Sequence, residues 1–293
     1  WTESGDLNTA RGWLGGTSQG STTATLVFGG NGPYPAVVTV TESFNGSTWT
    51  ETGDLNAARW LFQGSGTSTS ALGFGGQTSS PPITSATEVF DGTSWTEVAD
   101  LATGVGEAAG IGSSTLALAA GGQIPAYSNI SQEWTAPAVF RQFNVGDIYY
   151  NADPSSGVLK YTGYSQPTGT WASGGNMNTA RSEFIGSNIA KTSHAIAAGG
   201  PATIVEQYDG TSWTEIADVN TQRNNGAGMG RAPNACLLAG GQSDRDETEE
   251  FDGTSWTELS DINTARRDAG GAGTTTAGLI FGGNAPPANA NAE

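Results

Sequence analysis

The side chains that could do chemistry in this chain are few, and most of them repeat. His194 is the only histidine and Cys236 the only cysteine among 293 residues. A lone imidazole cannot build a zinc or copper centre, which draws several ligands from His and Cys. Cys236 lies in Ala235-Cys236-Leu237-Leu238 and His194 precedes Ala195-Ile196-Ala197-Ala198, so both read as strand residues rather than as nucleophile and base. Arg11, Arg59, Arg181, Arg223 and Arg266 recur in one phrase. A ring of such guanidinium groups in a channel could hold an anion. Binding nearby carboxylates and backbone carbonyls is the simpler role, because a buried guanidinium needs partners. Carboxylates are plentiful, but most stand at repeated positions or in turns, whereas a glycosidase pair would break the repeat. Asp244, Asp246, Glu247, Glu249 and Glu250 gather round Arg245 without EF-hand spacing and read as a solvated loop. No cofactor or metal is expected.

The elements that position these residues come from a repeat. A double glycine closes an apolar run at Gly29-Gly30, Gly75-Gly76, Gly121-Gly122, Gly199-Gly200, Gly240-Gly241 and Gly282-Gly283. An aromatic, an Asn-Gly or Asp-Gly turn and a tryptophan follow at 44–49, 90–95, 208–213 and 251–256. Trp1, Trp49, Trp95, Trp171, Trp213 and Trp256 each precede a copy of the Asp-Leu-Asn-Thr-Ala-Arg phrase, which has drifted to Asp100-Leu101-Ala102-Thr103-Gly104-Val105 in the third. A period in the forties marks a radial repeat protein. Each period reads as four antiparallel strands: a short Gly/Ala-rich one, the apolar one, one ending in Phe or Tyr, and the Trp-Thr-Glu strand beyond a tight turn. Nothing reads as a long helix.

The expected fold is therefore all-β, a six-bladed β-propeller of four-stranded antiparallel blades forming a single domain over 1–293. The repeated Trp, Gly and Arg residues are its scaffold, with the Trp rings between neighbouring blades. The last period ends before its aromatic turn, and Trp1-Thr2-Glu3 is expected to supply its outer strand and close the ring. A start on a repeat-position Trp without Met is what a processed or incompletely represented polypeptide would show.

The third period breaks the pattern, with 76 residues between Trp95 and Trp171 against 42 to 48 elsewhere. Residues 134–170 read either as an inserted β-hairpin or as a degenerate seventh blade, the insertion being preferred. The stretch holds Phe140, Phe143, Tyr149, Tyr150, Tyr161 and Tyr164, which are candidate contacts for a partner protein; packing within the blade and carbohydrate contact are the other readings. Tyr34 and Tyr127 are loop candidates for sugar binding.

Composition narrows the partners. A net charge of −17, from 28 acids against 11 bases, repels nucleic acid and anionic membranes. No transmembrane stretch or signal segment stands out.

The double glycine, the following aromatic and the Trp resemble kelch-type repeats over nearly the whole chain, although the spacing of five from Phe or Tyr to Trp is slightly compact. That resemblance implies a propeller. The phrases Gly146-Asp147-Ile148-Tyr149-Tyr150-Asn151 and Ser156-Gly157-Val158-Leu159-Lys160-Tyr161 are similar to small β elements of tailed-phage structural proteins. The Trp-Thr-Glu and Asn-Thr-Ala-Arg phrases resemble repeats of phage virion proteins. What this implies is a non-enzymatic structural or attachment module of an extracellular particle, a phage virion or a tail- or fibre-associated protein. Its partners would be other particle proteins or a second copy of the chain. The alternatives are a secreted propeller that binds surface glycans and, behind it, a glycoside hydrolase.

Overall fold

The computed structural model describes residues 2–32, 36–78, 83–124, 126–136, 148–151, 158–161, 169–182, 185–186, 195–200, 202–232, 234–284 and 292. The chain forms a β-propeller with five four-stranded antiparallel blades, each built from strands in sequence order. The first blade comprises Gly15–Gly16, Thr25–Phe28, Thr41–Phe44 and Trp49–Glu51, and the second Gln63–Thr67, Ser70–Phe74, Thr87–Phe90 and Trp95–Glu97. The third comprises Ala109–Gly112, Leu116–Ala120, Ser131–Thr135 and Thr170–Ser173. The fourth is Ile185–Gly186, Ala195–Ala198, Val205–Tyr208 and Trp213–Ile216; the fifth is Ala227–Ala232, Ala235–Gly241, Arg245–Phe251 and Trp256–Glu258.

The first strand of each blade faces the central channel, and here glycine is required. A Cβ on Gly64 would stand 2.7 Å from the carbonyl oxygen of Gly16 and 2.3 Å from the Phe28 ring. The second strands form the apolar layer: Thr25–Phe28 is buried throughout, and the core clusters join side chains of adjacent blades. The second glycine of each pair has positive φ, as Gly30 does at +101°. Its N–H reaches the carbonyl at the Arg position of the next repeat: Gly30 to Arg59, Gly76 to Val105, Gly122 to Arg181, Gly200 to Arg223 and Gly241 to Arg266. The hydrogen bond from Gly283 N to Arg11 O completes the circuit at 3.2 Å.

Two expectations are corrected. The first is the blade count, which among the described residues is five and not six. Between the fifth and first blades stands a two-stranded sheet, Gly270–Gly273 with Gly278–Phe281, flanked among the described residues by bridges from Arg267 to Asn284 and from Phe281 to Ala292. The last repeat carries the segments that make first and second strands, but not the aromatic turn and Trp strand that make the third and fourth. Thr2 and Glu3 do not form the expected closing strand; Ser4 N donates to Ala292 O at 2.7 Å instead. Trp1 lies outside the described residues.

The second correction concerns 134–170. Trp134 pairs in register with Trp171, as Phe44 does with Trp49, Phe90 with Trp95, Tyr208 with Trp213 and Phe251 with Trp256. Trp134 thus takes the place of the repeat Phe or Tyr, and Trp171 that of the repeat Trp. Both ends of the stretch are ladder residues of the third blade, so it is neither a hairpin added to a finished blade nor a seventh blade. Within it the backbone of Ile148–Asn151 pairs antiparallel with Val158–Tyr161.

Candidate functional site

The repeated arginines are buried within the blades, away from open channel space. Arg59 donates to the carbonyl oxygens of Gly75 and Ala86 and to Glu88 Oε1 at 2.8 Å. Glu88 Oε2 accepts the backbone N–H of Asn56 at 2.8 Å, and the Asn56 carboxamide donates to Trp95 O at 3.0 Å. The same set recurs as Asn8, Arg11 and Glu42, as Asn178, Arg181 and Glu206, and as Asn220, Arg223 and Glu249. All four arginines and all four glutamates are at most 2% exposed. Burial lowers the pKa of Arg11, Arg59 and Arg181 by penalising the charged form, and the paired glutamate opposes that shift. Arg266 is also fully buried and donates to Gly282 O at 3.2 Å.

These glutamates escaped the sequence reading, which looked only to nearby carboxylates. Asp54 instead accepts from Thr39 Oγ1 and Thr41 N, and Asp218 from Thr203 Oγ1. A signal was present: Glu42, Glu88, Glu206 and Glu249 each stand two residues before the repeat Phe or Tyr. In the third blade this position is Gln132, whose carboxamide bonds Thr103 N and O, while Ala102 and Val105 replace Asn and Arg.

The repeat tryptophans pack across blade boundaries. The Trp95 ring lies 4.6 Å from that of Phe28, Trp171 5.1 Å from Phe74, and Trp49 5.4 Å from Phe281. Trp213 donates through Nε1 to Ser131 Oγ at 3.1 Å, and Trp256 to Ala217 O at 2.9 Å.

The central channel is narrow, with a cavity volume of about 70 Å³ lined by glycine-rich first strands. A second cavity of about 70 Å³ lies at a mouth lined by Trp13, Leu61, Gln63, Glu107, Asn225 and Asp268. Five of these six stand two residues beyond the Arg position of their repeats, with positive φ: Trp13 (+49°), Leu61 (+51°), Glu107 (+58°), Asn225 (+58°) and Asp268 (+57°). Backbone hydrogen bonds link them round the mouth, Leu61 N to Trp13 O, Glu107 N to Leu61 O, Trp13 N to Asp268 O, and Asp268 N to Asn225 O. Sequence reasoning missed this circle because its side chains do not repeat; only the backbone does.

The remaining candidates are dispersed. Tyr127 is 55% exposed on a small hairpin, Gln123–Ile124 with Ala126–Tyr127. Tyr149, Tyr150 and Tyr161 lie on the paired strands 148–151 and 158–161, while Tyr34, Phe140, Phe143, Tyr164 and His194 lie outside the described residues. Cys236 is buried, which pushes its thiol pKa up to about 12. The acidic cluster is not the solvated loop expected: Arg245–Phe251 is a strand, with Glu249 buried against Arg223 and Glu247 bound to Arg245 at 2.8 Å. Among the described residues, no group of three or more His, Cys, Asp or Glu could hold a metal ion, and no helix is long and apolar enough to cross a membrane.

No protein-family model matches this chain, and no curated protein matches it in sequence. The fold defines the class: a β-propeller of four-stranded antiparallel blades, consistent with a general kelch-like architecture. Such a fold is consistent with a non-catalytic structural or interaction module.

Proposed function

We propose that the chain is a non-enzymatic attachment or structural module of an extracellular particle, a phage virion or tail-associated assembly. One observation carries the attachment role. Four blades join their third and fourth strands through four residues, whereas the third blade uses the 34 residues from 136 to 169. A connection of that length is far beyond what a hairpin needs, and long loops on a rigid frame are where binding residues concentrate. Phe140, Phe143, Tyr149, Tyr150, Tyr161 and Tyr164 lie in it and are the proposed contacts with particle proteins or a second copy. The assignment to a virion rests on the resemblance of the repeat phrases alone.

Replacing 136–169 with Asp-Gly-Thr-Ser, the turn of the second blade, tests this reading. The variant should fold, yet lose stoichiometric incorporation into the particle. Native protein that stays monomeric and absent from purified particles overturns the proposal. A secreted glycan-binding propeller is the second reading, favoured by the exposure of Tyr127. Its check is saturable glycan binding lost in Tyr127→Ala.

A further inference from the structure

The channel mouth departs from the repeat in an informative way. Its backbone conformation is shared by five blade-entry segments, but its side chains are Trp13, Leu61, Glu107, Asn225 and Asp268. Left-handed backbone is tolerated by Asn and Asp and is costly for Trp, Leu and Glu. The scaffold positions of this chain repeat closely, so architecture does not account for three unfavoured and unlike residues here. What they share is the cavity they line.

The chemistry of that lining is aromatic and acidic. The Trp13 ring meets Trp60 edge-on at 5.3 Å. Glu107 and Asp268 contribute carboxylates. Arg267 pairs with Asp268 at 3.5 Å and with Asp244 at 3.0 Å, and neither Arg267 nor Asp244 lines the cavity, so the lining itself carries two carboxylates and no cation. Asn225 and Gln63 add carboxamides. The cavity, at about 70 Å³, suits a side-chain head group and is well below the roughly 300 Å³ at which pockets for drug-sized ligands begin.

We propose that this mouth is a binding site for one cationic side chain, an arginine or lysine presented by a partner polypeptide. A cation beside Trp13 gains from the ring quadrupole, and Glu107 and Asp268 supply charge-assisted hydrogen-bond acceptors. The net charge of −17 raises the encounter rate of a basic partner. The site stands independently of the particle reading, because it concerns the opposite kind of position: a fixed backbone with unlike side chains, rather than an extended connection.

The test is a tryptophan-fluorescence titration of the native protein with a blocked Gly-Ser peptide carrying one arginine. Its lysine and citrulline counterparts and a methyl glycoside serve as comparisons. The arginine and lysine peptides should saturate and weaken with salt, and the citrulline peptide and glycoside should not bind. Glu107→Gln should weaken binding about tenfold, while Asp252→Asn, the same charge change on an outer turn, should leave it unchanged. Trp13→Phe should weaken it severalfold and serves as the second variant if Glu107→Gln folds poorly. Equal binding of the citrulline peptide, preference for the glycoside, equal effects of the Glu107 and Asp252 changes, or no saturation at millimolar peptide would each overturn the proposal. None of these outcomes depends on particle incorporation, so the two readings fail separately.

Discussion

The second and third blades solve the same packing problem with opposite chemistry. In the second, Arg59 and Glu88 form a buried ion pair, and with the exposed Asn56 they tie the blade-entry segment to the third and fourth strands. In the third, Ala102, Val105 and Gln132 occupy the same places, and Gln132 alone bridges to Thr103 in both directions. In this blade the exchange is complete: both the arginine and its glutamate are replaced. This is what electrostatics demands, since a buried ion pair can be replaced as a unit by neutral groups, whereas one stranded partner is costly. The difference also argues against a ligand role for the arginines, whose guanidinium groups are engaged within their own blades.

Breaking one partner should therefore have the largest effect. Arg59→Ala leaves Glu88 buried without its cation and should destabilise the protein by about 3–5 kcal/mol in urea unfolding. The triple change Asn56→Ala, Arg59→Val and Glu88→Gln, which copies the third blade into the second, should cost far less. A triple variant as unstable as the single one would break the comparison. Trp95→Ala should also cost about 3–5 kcal/mol, because its ring is 5% exposed and packed on Phe28. Trp171→Ala should cost less, since Trp171 is only half-buried and its indole N–H has no partner among the described residues.

A smaller effect should sharpen the account of Trp134. A Cβ on Gly169 would stand 2.2 Å from the Trp134 ring, so Gly169→Ala should overpack the third blade by about 1–3 kcal/mol. The Gly64 position is not comparable, because backbone lies on one side of it.

The smallest expected effect is on acid stability. Backbone N–H groups of Ser212 and Thr211 hold the Asp209 carboxyl below its usual pKa, and Ser255 and Thr254 do the same for Asp252. For Asp91 burial acts upward, but the hydrogen bonds from Ser94 and Thr93 outweigh it. A depressed carboxyl pKa stabilises the fold fully above the unfolded value of about 4 and loses that contribution as pH falls through the folded pKa. Melting temperatures at pH 7 and pH 3 should thus converge in the triple variant Asp91→Asn, Asp209→Asn and Asp252→Asn relative to the parent. The third blade lacks this turn and contributes nothing to the difference.

Much of the fold was legible before the structure, because strand pairing follows local signals. The double glycines, Asp-Gly turns and Trp-Thr-Glu segments each specify short-range geometry, and four blades follow from them directly. The third blade was harder to read because Trp134 stands where the other blades have Phe or Tyr, and no Asp-Gly turn leads from it to its ladder partner Trp171. The blade count was overread because six glycine pairs imply six second strands, not six complete sheets. The buried glutamates were missed because their arginines lie 25 to 31 residues away in sequence, and nearer carboxylates offered the same charge. The mouth circle left no sequence signal at all, since unlike residues occupy alike backbone.

The sequence by itself determined the period, the strand type and the need for glycine where the chain turns left-handed, all of which are local consequences of sterics and hydrogen bonding. Only the tertiary structure decided which carboxylate neutralises each arginine, how many blades are complete, and which side chains meet at the channel mouth. Those outcomes depend on distances between segments far apart in the chain, and they are set when the blades close around a common axis.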